Sequence, residues 1–364
     1  LRSQKQVHRE FIRQEKAKYS HHRSKARKKT KGRDGCTSMS VIIDGMDQAK
    51  TKIPNPVRHS KDTEHLFRQA VHVTGILDHG AEVPAQVILE DCRASKDSNN
   101  TINSLCYIIR ERAMQGPLPE ILNLQLDNAA GENKNKFVLL FCALLVGAGV
   151  FRKVKLSFLP VGHTHEDIDQ LFSRLAEALR RKDCNTWADL ESIIASSYTS
   201  TNGSKPRIVK NPMVADFKTW MSGIKWQVQG HSTPMCFRFV KNDEDDVVMY
   251  ARGRTSVNVV DGQKDEDSLW FPEDGYVIVS THDAMDLWRK PLFRVPVRSV
   301  PTADIRHTVQ KYVALDMFQQ STVDTWDEYL ASVDDDIAQQ CAICRDLREQ
   351  EAKTNQVSLL LCMI

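Results

Sequence analysis

Acidic residues gather in three short clusters, each where an apolar run breaks. Asp44 and Asp47 follow Met39–Ile43, Asp127 closes Ile121–Leu126, and Glu166, Asp167 and Asp169 open an amphipathic stretch. If these breaks meet in space, the carboxylates repel one another. Two like charges 4 Å apart cost about 4 kcal/mol at an effective dielectric of 20. An oxygen-loving dication relieves that repulsion, and Mg2+ typically takes one or two carboxylates together with substrate phosphates. Two such ions about 3.5–4 Å apart activate a water or hydroxyl and stabilise the leaving oxygen of a phosphodiester. The pattern therefore points to phosphoryl chemistry with Mg2+ or Mn2+. Asp44, Asp47, Asp127, Glu166, Asp167 and Asp169 are the acidic residues from which ligands and catalytic groups would come. The plainer reading is that Asp and Asn favour turns and helix caps, so that Asp127 would merely cap a helix starting near Glu132.

Other polar residues lie close by in sequence. His163 and His165 form a His-x-His pair that could ligate a metal, hold a phosphate or polarise a carboxylate; loop histidines also simply donate to backbone carbonyls. Asn128 and Lys134 flank the Asp127 break as candidate substrate contacts, with Lys134 otherwise an exposed residue of a first helical turn. Lys50 and Lys52 carry the same choice between nucleic acid and solvent.

The elements that would position these groups read as alternating strands and helices. Met39–Ile43, a strand within 65–77, Val83–Leu89, Ile121–Leu126 and 153–158 are the five expected strands. In the last of these Val154, Leu156 and Phe158 alternate with Lys153, Lys155 and Ser157, the period of a strand with one buried face. Helical spacing recurs over Ile102, Leu105, Cys106, Ile109 and Met114, with Ser98, Asn99 and Asn100 as candidate caps. A second helix is expected over 132–146, and a third carries Ile168, Leu171, Phe172, Leu175 and Leu179 as one stripe. On that last helix Asp167 and Asp169 flank the stripe and Glu166 points away from it. The order β-β-β-α-β-α-β-α predicts an α/β fold, a mixed five-stranded sheet covered by helices over 38–182.

Flanking regions differ in texture. Residues 1–37 read as a basic arm: the first 34 residues hold 13 Lys and Arg against 3 acidic residues. That density suits a phosphate backbone, or equally a solvated helix face or tail. Residues 183–300 read as a helical linker and a small β-rich domain, and hold five of the six tryptophans. Residues 301–364 read as an acidic tail, helical or disordered, with 11 acidic residues against 5 basic. The whole chain of 364 residues is near neutral at +3, with 41% hydrophobic residues, as in soluble globular proteins. No run approaches the roughly 18 apolar residues of a membrane helix, and no apolar segment of signal-peptide kind follows the basic start. Leu1 reads as the start of a fragment or as a mispredicted start. The nine cysteines are odd in number and scattered, which suits a reducing compartment; Cys341 and Cys344 form a lone C-x-x-C without a second pair at zinc spacing.

Three blocks of the sequence carry a resemblance. They are 41–51 (VIIDGMDQAKT), 126–135 (LDNAAGENKN) and 159–170 (LPVGHTHEDIDQ), the third being the most specific. They resemble an uncharacterised eukaryotic domain family from transposon-like genes, similar to the ribonuclease H-like integrase and transposase superfamily, over roughly 38–182. The resemblance implies a ribonuclease H-like core with a first metal ligand at Asp44 (Asp47 its rival), a second at Asp127, and a third at Asp167 or Asp169. It further implies a transposase or integrase-like enzyme that cuts and joins DNA in the nucleus, with DNA as partner and a homo-oligomer as a possible form. Two alternatives stand beside this: a nuclease that only hydrolyses, and a domesticated or decayed element that binds DNA or scaffolds without catalysis.

Overall fold

The computed structural model describes residues 2–28, 38–58, 60–158, 167–254, 259–260, 263–264 and 266–334. His163, His165 and Glu166, the end of the basic arm at 29–37, and the C-x-x-C and rest of the tail at 335–364 lie outside the described residues.

One nine-stranded sheet organises the chain. Its strands are β1 (Ser38–Gly45), β2 (His72–Asp78), β3 (Ala85–Glu90), β4 (Ile121–Leu126), β5 (Lys153–Phe158), β6 (Arg207–Lys210), β7 (Cys236–Lys241), β8 (Asp246–Arg252) and β9 (Phe271–Ser280). Their spatial order is β9-β8-β7-β5-β4-β1-β2-β3-β6. β1, β4 and β5 run parallel as neighbours, and β2 runs antiparallel to both β1 and β3. The five strands expected from sequence thus form the centre, within a mixed α/β architecture.

Helices cover both faces. They are α1 (Arg2–Arg27), α2 (Ser98–Ala113), α3 (Lys136–Gly147), α4 (Asp167–Arg181), α5 (Trp187–Ser197), α6 (Thr281–Trp288) and α7 (Thr302–Ala314), with a further helix over 320–334. Alternation along β1 sends Met39, Val41 and Ile43 into a core with α2 and α3, while Ile42 packs on the other face with Tyr19 of α1 and Ile168 of α4. Helix α3 is apolar all round and buried from Val138 to Gly147, as suits an element enclosed by its neighbours. Its N-cap is Asn135, whose side chain accepts from the amides of Phe137 and Val138. Asp127 is therefore not that helix's cap. Asp97, not the residues after it, caps α2, in a capping box with Asn100.

Three expectations change. The basic arm is helical over its described part, and beside its solvated face α1 carries a buried stripe at helical spacing, Ile12, Glu15, Tyr19 and Ala26, by which it docks on the sheet. The strands of the expected β-rich domain extend the central sheet instead, because β7 pairs antiparallel with β5. That pairing occupies backbone groups that β5 would otherwise leave open at an edge. The start of the acidic segment is also core: Ile305, Val309, Tyr312, Trp326, Leu330 and Val333 pack with Leu171, Leu175 and Leu179 of α4 and Leu190 of α5. Its acidic residues lie mainly on the opposite faces of these helices. Among the described residues, no helix is long and apolar enough to cross a membrane.

Candidate functional site

The parallel pair β1 and β4 sets the site. Ile42 pairs in register with Gln125, so two residues further on Asp44 meets the level of Asp127 at the ends of both strands. Neighbouring strands lie about 4.8 Å apart, and residues two apart share a face. Ile42, Asp44, Gln125 and Asp127 accordingly line one small cleft, closed from above by Ile168 of α4.

Asp44 carries the electrostatic signature of the edge. Burial raises its carboxyl, and the charges of Asp127 and Asp169 add to this, pushing it up to about 7; the amide of Gly45 and the charge of Lys96 act against the rise. The Gly45 amide donates to Asp44 Oδ1 at 2.8 Å. Asp127 is held on its other side: its Oδ1 accepts from the Ala129 amide at 3.0 Å and, through a very short contact, from Asn133 Nδ2. Asn133 is itself fixed by the Thr101 hydroxyl, which donates to its Oδ1 at 2.7 Å.

The two acidic residues at the start of α4 separate in role. Asp169 acts on Asp44. Asp167 faces α1 and the β2 end: it accepts from the Tyr19 hydroxyl at 2.7 Å, lies 2.9 Å from His79 Nε2, and pairs with Arg23 at 3.3 Å. Burial would raise the Asp167 carboxyl, but His79, Tyr19 and Arg23 outweigh it and hold it at about 2. His79 is anchored in turn at Ser40, with its Nδ1 2.9 Å from the carbonyl. Asp167 thus fastens α1 and the first turn of α4 to the sheet, which fixes where Asp169 stands.

The remaining candidates divide. Asp47 is exposed, accepts from the Ala49 amide at 3.0 Å and pairs with Lys50 at 3.9 Å; it caps a single turn and stands apart from the group. Lys52 is exposed. Asn128 is half-buried beside Asp127. Lys134 is not on an exposed turn: it is buried, its Nζ lies 3.4 Å from Met235 Sδ and 5.2 Å from the Phe158 ring centre, and burial lowers it to about 8.

Two residues at this edge had no sequence signal. Lys96 pairs with Glu132 at 3.1 Å and lies so near Gly45 that a β-carbon there would meet its Nζ at 2.9 Å. Asn133 sits in a stretch whose other asparagines looked equivalent; only the Asp127 contact singles it out.

Three hard oxygen donors of one charge sign suit a dication in kind. Among the described residues, however, no three His, Cys, Asp or Glu side chains close into a metal-holding group. The donor set fits an ion, and the described side chains do not by themselves enclose one.

The family model described as Domain of unknown function (DUF7869) matches residues 61–256, more than half of the chain. The match encloses Asp127, Asp167 and Asp169, begins after β1 and its Asp44, and runs on through β7 and β8. It thus reaches well past the 38–182 of the expected resemblance. No curated protein and no solved structure matches the chain.

Proposed function

The chain belongs to the DUF7869 family, and on that footing we propose that it is a transposase- or integrase-like enzyme acting on DNA phosphodiesters with Mg2+ or Mn2+. One observation carries the reading: Asp44 and Asp127 end neighbouring parallel strands at one level, with Asp169 acting on the same spot from α4. The five-stranded centre with helices on both faces supports ribonuclease H-like kinship, and the transposon origin belongs to the same proposal. Asp44, Asp127 and Asp169 would hold the cation. Bound there, it would supply water or hydroxyl activation and charge stabilisation at the leaving oxygen. The chain's own residues supply the framework. Asn133 and the Ala129 amide fix Asp127, the Gly45 amide fixes Asp44, and the Asp167 clasp fixes the start of α4. DNA, the nucleus and a homo-oligomer are the partner, place and form this activity implies.

The second reading is a domesticated or decayed element that binds DNA without catalysis. The deciding experiment follows a labelled DNA duplex with Mg2+, with Mn2+ and with chelator. Cleavage or strand transfer that needs the ion and disappears in Asp127→Asn, with DNA binding kept, supports the enzyme. Cleavage that Asp127→Asn leaves intact removes the site. No cleavage by the wild-type chain with either ion, with DNA bound, favours the second reading.

A further inference from the structure

A basic cleft lies on the same face of the sheet as the carboxylates, between α1 and the strands β5, β7 and β8. Its floor is built from cross-strand rows. Lys155 pairs in register with Arg238, and Arg238 with Tyr250; two residues along, Ser157 pairs with Cys236, and Cys236 with Arg252. Lys18 and His22 of α1, Lys153 and Trp270 complete the lining. Arg238 is stacked 4.3 Å from the Tyr250 ring and 4.7 Å from Trp270, and Arg252 4.4 Å from Trp270.

The cleft gathers Lys18, Lys153, Lys155, Arg238 and Arg252 at one place. Among the described residues, no carboxylate forms an ion pair with Lys18, Lys153, Lys155 or Arg238, and the buried Nε of Arg238 has no hydrogen-bond partner. One acid nearby is Glu15 of α1, whose charge reaches Cys236. Burial lowers Lys153, Lys155 and Arg238, pushes His22 down to about 3, and neighbouring cations reinforce each shift. Like charges gathered under cover oppose folding, and an anion in the cleft would reverse that.

The cleft also has a direction. The Ser157 row continues through Gln125 of β4 to Ile42 of β1, and two residues beyond lie Asp127 and Asp44. Strand spacing and rise put Lys155 roughly 15 Å from Asp127. A chain of phosphates fits this layout better than one compact anion, because the positive groups are set in rows that lead toward the acidic edge.

We propose that this cleft binds the phosphodiester backbone of a nucleic-acid strand and leads it to the Asp44–Asp127–Asp169 edge. The second half rests on the reading of that edge as a phosphodiester site; the first half stands without it.

The test is fluorescence anisotropy of the whole chain with a labelled oligodeoxynucleotide, single-stranded and duplex, in chelator over a salt series. Lys155→Gln, Lys153→Gln and the half-exposed Lys18→Gln should each weaken binding several-fold. Each should also flatten the plot of log affinity against log salt by about 0.7 for a single strand or about 0.9 for a duplex. Circular dichroism identifies any variant that fails to fold, and Lys18→Gln, outside the sheet, keeps the test decisive. Binding is read in chelator, so a failure of the catalytic reading shows in cleavage and not here, and Lys311→Gln, exposed on α7 outside the cleft lining, should bind as wild type does. Folded variants with unchanged affinity and salt slope would overturn the proposal. So would variants that lose only inorganic tripolyphosphate and keep the oligonucleotide, since the cleft would then serve a small anion.

Discussion

Asp44 and Asp127 stand side by side at the ends of two parallel strands, 83 residues apart in sequence and level in register. Asp127 also makes a local turn, its Oδ1 accepting from the Ala129 amide, but neither acid caps a long helix: α3 takes its cap from Asn135, and the Gly45 amide donates to Asp44 without opening a helix. Burial raises the Asp44 carboxyl most, the charges of Asp127 and Asp169 add to the rise, and the group is held at about 7.

This carries a stability cost with a definite sign. A carboxyl raised from about 4 to about 7 on folding binds its proton more tightly in the folded state. The chain therefore loses stability as pH rises across that window and stays at the lower value above it. The full shift corresponds to about 4 kcal/mol, which partial solvent contact at the edge brings to about 2 kcal/mol. Asp44→Asn should be more stable than wild type by that amount at pH 8, with the gain fading toward pH 4, in urea unfolding monitored by circular dichroism. Added Mg2+ should stabilise wild type at pH 8 and leave Asp44→Asn unmoved.

Asp167 should behave in the opposite sense. Its carboxyl, held at about 2, contributes stability that is present above about pH 4 and is lost as pH falls toward 2. Asp167→Asn should cost about 2 kcal/mol at pH 7 and nothing near pH 2. The same variant should loosen α1, which amide hydrogen exchange in 10–27 would report.

Asn133→Ala removes the donor that fixes Asp127 and the acceptor of the Thr101 hydroxyl. Loss of such a supporting partner typically costs about 10–100-fold in metal affinity or activity. Single-turnover cleavage should fall by that order, with a stability loss of about 1–2 kcal/mol in urea. Asp47→Asn, at an exposed turn, should leave cleavage unchanged.

Gly147 ends α3 against α6, where a β-carbon would meet Ala284 Cβ at 2.6 Å. Gly147→Ala should destabilise the chain by about 1–3 kcal/mol through overpacking. Its unfolding should remain a single transition, because β7, β8 and β9 share one sheet with β1 to β5. Two separated transitions would contradict that continuity.

Strand and helix positions in the centre were legible because they are local. Alternation in 153–158, the apolar runs at 39–43 and 121–126, and the stripe from Ile168 to Leu179 each lie within a few residues of their own cause. Three acidic breaks at element ends were legible for the same reason. Which acids meet was not. Asp167 and Asp169 flank the same stripe, and only His79, Tyr19 and Arg23, up to 148 residues away, draw one of them off the edge. Lys96 and Asn133 gained their places through Gly45 and Asp127, and the hairpin of β7 and β8 joined the central sheet through β5. Periodicity records which face a residue turns to the core; the identity of its neighbour across that face is a property of two distant segments, settled when the chain packs.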